Sequence, residues 1–354
     1  MKVMRISFFG LLLLLSSVGS YAQSFSVEKT VPYTPVKDQC RSGTCWSFAA
    51  TSFIESELIR LGYGKQDLSE MFFVRKMYEE KATMHIRMQG KNFLTQGGQP
   101  HDVFRAVARY GFLSEDDYPG IKNSLGDYDH MAFFDSVADY LKPFAREDSV
   151  IREPWKIELS NKLDKAIGPL IQADVKISKE QTYRRQFPLF NPADYVHVTS
   201  YYHHPFFRNF ILEDKYNWSL SNYFNLPMDD FCRLVDTALR NGYSICWNGD
   251  VSEPGFDFNK GLASVRPHPS TATDRYLRQR QFEDHSTTID HVMHLVGLAR
   301  DKNNTRYYII KNSWGEQNLY GGMMFMSDEY FRQKTVSYMV HKNMLKKIYP
   351  SYMD

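Results

Sequence analysis

Past residue 22 the chain has no apolar run near the ~20 residues that a membrane-spanning helix needs, so no spanning helix is expected there. It has no long basic run, no zinc-finger spacing and no repeat of aromatic and basic residues, so nothing points to nucleic acid as a partner. Neither sign of charge is in excess: 43 Lys and Arg face 41 Asp and Glu, for a net charge of +2. Cysteine is scarce. The four present, Cys40, Cys45, Cys232 and Cys246, are too few and too scattered for a scaffold built on disulfides. They also lack the paired spacing of a zinc site, and His291 and His294, a close pair late in the chain, have no cysteine near them in sequence. No metal and no cofactor are expected.

What the chain does have is bulk. With 354 residues, 43% of them hydrophobic and 15% aromatic, it can bury a sizeable core in one large domain or two lobes. The first residues read as an address: Lys2 and Arg5 are basic, residues 8–15 are almost wholly apolar, and Ser20-Tyr21-Ala22 presents small residues where a signal peptidase cuts. The apolar run is too short and too soon polar for an anchor. The expectation is a signal peptide at 1–22 and an exported mature chain at 23–354, periplasmic or secreted. Removing Lys2 and Arg5 takes the net charge from +2 to 0, so no polyanionic partner is expected.

The stretch DQCRSGTCWSF at 38–48 sets two cysteines five positions apart beside Gln39 and Trp46. A nucleophilic thiol needs its pKa lowered, and the first turn of a helix does this through unpaired N–H groups and the macrodipole. Residues 45–61 fit such a helix. Phe48, Phe53, Ile54, Leu58 and Leu61 recur at helical spacing, and Gly62 follows as a stop. That puts Cys45 at a helix N-terminus. A thiolate then needs an imidazole and a group to orient it. IDHVMHLVGLA at 289–299 alternates like a buried strand, and YYIIKNSWGE at 307–316 follows a polar turn at 301–305. Such a hairpin could bring His291 beside Asn312, with the free ring nitrogen toward Cys45.

At this point the chain resembles the papain-like cysteine peptidases, through blocks that occur in order. TPVKDQCRSGTCWSFA resembles the segment of the oxyanion glutamine and the nucleophile; LSE at 68–70, GGQPHDVFRAVARYGFLSEDDYP at 97–119, DHVMHLVGL at 290–298 and NSWGE at 312–316 resemble the later blocks. LSEMFFVRKMYEE, QGGQPHDVF and ALRNGYSICWNGDVSEPGF are most similar to the bleomycin hydrolase and aminopeptidase C branch. Only residues 23–44 separate the expected cleavage site from Cys45, which leaves no room for an inhibitory pro-segment. The resemblance implies Cys45 as nucleophile, His291 as proton carrier, Asn312 as its orienter and Gln39 as an oxyanion donor worth ~3 kcal/mol. It also implies that Trp314 covers the Asn312–His291 hydrogen bond, and that Gly97 and Gly98 let a substrate backbone lie close.

Asp290, the residue before an inward-facing strand histidine, should face the other way, and His294 likewise lies opposite His291. Trp46 reads as core packing; His203, His204 and His285 show no partner in sequence. Cys40 could bridge to Cys232 or Cys246, or all could stay reduced, and the sequence leaves this open. Asn217-Trp218-Ser219 and Asn303-Asn304-Thr305 match the glycosylation acceptor pattern.

The expected architecture is α+β: a papain-like two-lobed fold, with a helical lobe at 45–118, a helix-rich insertion at 120–225, an antiparallel β-barrel-like lobe at 226–345 and a tail at 346–354. The resemblance implies an aminopeptidase acting on peptide or protein substrates, its cleft blocked by the segment 342–354. The alternatives are a secreted endopeptidase and an inactive papain-fold binding protein. Related enzymes form hexamers, which leaves a homo-oligomer possible.

Overall fold

The computed structural model describes residues 23–146, 154–170, 185–266 and 271–353; the expected signal peptide lies outside them. The helix read from the sequence forms as α1, Cys45–Arg60, and every residue from Trp46 to Leu58 is buried. A helix without a solvent face must pack on all sides. One side meets the helical lobe and the other the β lobe, where Ser52 Oγ lies 2.9 Å from His294 Nδ1 and Phe53 stands edge-on to the same ring. Gly62 ends the helix at φ +89°, with its N–H on the Ile59 carbonyl and that of Tyr63 on Leu58.

Three further local signals build the helical lobe. Ser69 caps α2, Glu70–Arg87, by accepting the Phe72 N–H at 3.0 Å. Gln99 and Asp102 form a reciprocal capping box on α3, Pro100–Tyr110, with proline in its first turn. From the inserted stretch come α4, Met131–Leu141, and α5, Pro154–Ala166, whose Leu141, Trp155 and Leu163 join the core around Trp46, Phe53 and Phe72.

The second half of that stretch departs from the helix-rich expectation. It contributes three strands, β2 (Tyr195–Thr199), β3 (Asn209–Ile211) and β4 (Asn222–Asn225), after β1 (Phe25–Thr30) near the start of the chain. The reason is alternation: in YVHVT and NYFN, Val198 and Phe224 point into the β-lobe core while His197 and Tyr223 stack on the other face.

The β lobe continues through α6 (Met228–Arg240), β5 (Ile245–Gly249), β6 (Phe256–Asp257), β7 (Leu262–Ala263) and α7 (Thr271–Glu283). Then come β8 (His291–Asp301), β9 (Arg306–Lys311), β10 (Met323–Ser327), α8 (Asp328–Lys334), β11 (Thr335–His341) and α9 (Lys342–Ile348). The strands lie in the order β3-β4-β2-β11-β5-β8-β9-β10-β7-β6, with β1 also on β8, and all pairs are antiparallel except β2 with β4 and β7 with β10. The hairpin β8–β9 is the one the sequence announced; its turn is tied by Asp301, which accepts from the N–H groups of Asn303 and Thr305.

The described part of the tail, 342–353, packs on the β lobe, and Asp354 lies outside the described residues. Met344 and Leu345 of α9 are buried in the core that holds Phe231 and Tyr338, and Tyr349 stacks on Phe207 at 4.9 Å.

Candidate active site

Cys45 is the first residue of α1. The Thr44 carbonyl takes the N–H groups of Ser47 and Phe48, and the backbone N–H groups of Val292, Trp46 and Cys45 itself favour the thiolate. Burial wins over them and pushes the thiol up to about 11, with the Asp290 charge adding to the effect. The turn before Cys45 is held by Gln96: its Oε1 accepts the Gly43 N–H at 2.9 Å and its carbonyl accepts the Trp46 indole N–H at 3.0 Å.

His291 opens β8 and Asn312 follows β9, so strand pairing brings them together: His291 Nε2 lies 2.8 Å from Asn312 Oδ1. That contact leaves Nδ1 as the ring nitrogen available to a thiol. The Trp314 ring lies 4.6 Å from the His291 ring and is backed by Phe256 and Phe258. Burial holds His291 down to about 4, against the upward pull of Asn312. At neutral pH the imidazole is therefore an acceptor, the state needed to take a thiol proton.

Gln39 is tied to the same hairpin end. Its backbone N–H donates to the Ser313 carbonyl at 2.9 Å, and Asp38 bridges Trp314. Its side-chain Oε1 accepts from Ser313 Oγ at 2.7 Å and its Nε2 donates to the Ser42 carbonyl at 2.8 Å. An amide nitrogen carries two hydrogens, and the Ser42 bond uses one.

Cys45, His291, Gln39, Gly97, Gly98 and Trp314 all line one cavity of about 340 Å³, together with Asp290 and Tyr216. Asn312 stands behind it, on His291. The two glycines carry a qualification. A side chain at Gly97 would come within 2.6 Å of the Tyr216 ring, and one at Gly98 within 3.0 Å of the Trp46 ring and 2.8 Å of Asp102. The protein's own packing already requires glycine at both.

Asp290 lines the same cavity as His291 and accepts the Val251 N–H at 2.8 Å. His294 faces α1, as strand alternation implies. All four cysteines are free, Cys232 and Cys246 buried, so the bridge to Cys40 does not form. Asn217 is buried, its side chain bonded to the carbonyls of Leu212 and Ser221, which removes it as a glycosylation acceptor.

Sequence reasoning missed the supporting residues. Gln96 and Ser313 lie inside the quoted blocks QGGQPHDVF and NSWGE without a role assigned there, and Tyr216 belongs to no spacing pattern. Nor does the buried Lys81, whose ammonium donates to the carbonyls of Thr95, Gln96 and Gly97 and whose pKa burial lowers to about 8. It also missed partners for His203 and His204. With Glu213 their ligand atoms fall within 4.8 Å of one another, the one such group among the described residues. Gln279 Nε2 donates to His203 Nδ1 at 2.9 Å, so the ring proton sits on Nε2, facing Glu213. That makes the group a hydrogen-bonded cluster, not an open ligand set.

With this geometry in view, comparison with known proteins decides the family. Residues 168–354, more than half of the chain, match the Peptidase C1-like family, and residues 21–142 match the papain family of cysteine proteases. The chain belongs to the Peptidase C1-like family. It is a cysteine-type peptidase. Among its relatives, Cysteine proteinase 1, mitochondrial, of Saccharomyces cerevisiae is 23% identical over 91% of this chain and 78% of its own. Aminopeptidase C of Streptococcus thermophilus is 25% identical over 91% of this chain and 83% of its own. Aminopeptidase G of Lactobacillus delbrueckii is 22% identical over 93% and 85%. The crystal structure of PepW from Lactobacillus rhamnosis shares the fold, with a TM-score of 0.68 at 17% identity, covering 94% of this chain and 85% of that one.

Proposed function

We propose that the protein is an exported aminopeptidase that removes N-terminal residues from peptides by a Cys-His-Asn mechanism. The observation that carries the mechanism is the single cavity holding Cys45, His291 and Gln39, with Asn312 2.8 Å behind the imidazole. Cys45 transfers its proton to His291 as its sulfur attacks the peptide carbonyl. Gln39 Nε2 and the Cys45 N–H receive the developing oxyanion. His291 then delivers the proton to the leaving amine, and water hydrolyses the thioester by the reverse sequence. Asn312 keeps one ring nitrogen engaged, so the other faces the sulfur.

The aminopeptidase reading draws on relatives named aminopeptidase C and G that align over most of both chains. Export draws on the residues of 1–22 and on the position of β1: cleavage after Ala22 leaves the whole strand Phe25–Thr30, with Phe25 stacked on Phe325 at 3.8 Å.

The test is hydrolysis of matched fluorogenic peptides, one with a free N-terminus and one acetylated, by the chain beginning at Gln23. Thiol-dependent cleavage of the free form alone, abolished in Cys45→Ala, is the expected result. Equal cleavage of both would make the enzyme an endopeptidase. Activity that survives Cys45→Ala would remove the mechanism. Recovery of an unprocessed chain from the exported fraction would remove the signal peptide.

A further inference from the structure

We propose that Tyr216, carried by the inserted segment 212–221, is the wall that ends the substrate cleft one residue beyond the scissile bond on the N-terminal side. The proposal rests on the aminopeptidase reading and names the device that enforces it.

An extended substrate needs a backbone-width path along the cleft at about 3.4 Å per residue. The edge that could receive it is 95–98, with its two glycines, and Tyr216 already occupies that edge. Its ring lies so close to Gly97 that a Cβ there would be 2.6 Å from Cε1. The same side chain lines the cavity of Cys45 and His291, and burial, with the Asp214 charge beside it, raises the pKa of its hydroxyl. The ring thus reaches from the glycine edge toward the nucleophile. A substrate residue at the scissile bond has room; the next one meets an aromatic ring.

The wall is braced from several sides. Phe93 stands edge-on to Tyr216 at 5.6 Å, and the Lys215 ammonium lies over both rings. Asp214 Oδ1 accepts the Tyr216 N–H at 2.8 Å and the Gln99 amide at 3.1 Å. Trp218 Nε1 donates to Asp102 Oδ2 at 2.8 Å. Gln99 and Asp102 are the capping box of α3, which begins right after Gly98. Wall and glycine edge are therefore fastened to the same helix end and hold their spacing together. The C-terminal segment is placed differently: through Tyr349 it packs on the β lobe, and none of it is among the described residues that line the cavity.

Two readouts test this. In the wild type, an aminoacyl aldehyde should inhibit more tightly than a dipeptidyl aldehyde with an equally free amine, by ~10-fold or more. Equal inhibition overturns the wall, since both carry the amine and differ only in length. In Tyr216→Ala, the ratio of kcat/KM for an N-acetyl-dipeptidyl substrate over an aminoacyl one should rise ~10-fold or more, while Tyr216→Phe keeps the wild-type ratio. A folded Tyr216→Ala enzyme that still excludes the blocked substrate also overturns it. If Tyr216→Ala does not fold, the aldehyde pair in the wild type decides alone. Should the wild type itself cleave blocked substrates, the aminopeptidase reading has failed, a result distinct from an unresponsive variant.

Discussion

A thiol pushed up to about 11 beside an imidazole held down to about 4 rests as a neutral pair across the whole neutral range. In the proposed mechanism the proton then moves as attack begins, driven by the substrate carbonyl and its oxyanion donors. The pH dependence of kcat/KM should accordingly be bell-shaped and wide. Its acid limb falls as pH drops through about 4, where His291 gains a proton and stops accepting one. Its alkaline limb falls near 11, where Cys45 has no proton left to pass to the leaving amine. Asn312→Ala removes the hydrogen bond that raises His291, so the acid limb should move to still lower pH while kcat falls ~10-fold or more through lost ring orientation. Rate profiles of the two proteins check this; an acid limb near 6.5 in the wild type would mean that His291 is not held down. At this scale Cys45, His291 and Asn312 were legible because thiol chemistry demands those residue types near a helix start and a hairpin, and Gln39 was legible only through the family resemblance. Gln96, Ser313, Lys81 and Tyr216 were not, because they act by contact across 50 or more residues of sequence or through ordinary backbone bonds.

Among the elements, α1 and the β8–β9 hairpin were readable because each carries an uninterrupted period and a clear stop: Gly62 for the helix and the Asp301 turn for the hairpin. The strands β2 to β4 were not, since they are three to five residues long and laced with polar side chains. The described part of the tail, 342–353, was misplaced for a different reason: its position was inferred from resemblance, while its own apolar residues favour the β lobe. Met344 and Leu345 are buried there. Ending the chain after His341 should therefore lower the melting temperature, as the loss of two buried side chains worth ~2–5 kcal/mol each implies. Ending it after Tyr349 should leave the preference between free and acetylated substrates as it is. A gain of activity on acetylated peptides in the second truncation would return the blocking role to the terminus.

At the scale of the whole molecule, the two-lobed plan followed from the blocks at both chain ends, but what holds the lobes together did not. Nor were the buried histidines of the interior legible. His101, His130, His197, His291, His294 and His341 all have their pKa lowered, in each case chiefly by burial. The unfolded chain takes up these protons near 6.5, while the folded protein refuses them until about 4 at His130, His291 and His341. Below 6.5 the unfolded state binds more protons, so stability is fully present above that pH and drains away as pH falls toward 4. His130 is the clearest case: it is fully buried among the rings of Tyr78, Tyr128 and Phe133, and neither ring nitrogen has a hydrogen-bond partner among the described residues. At 1.36 kcal/mol per unit its share amounts to about 3 kcal/mol by pH 4. His130→Phe keeps the ring and removes both the titration and the unpaired nitrogens, so it should hold or raise stability at pH 7.5 and flatten the decline toward pH 4.5. Thermal melts of both proteins across that range decide it. A wild-type melting temperature that does not fall with acid, or a variant that falls just as steeply, would show that the buried histidines do not set the acid limit of the fold.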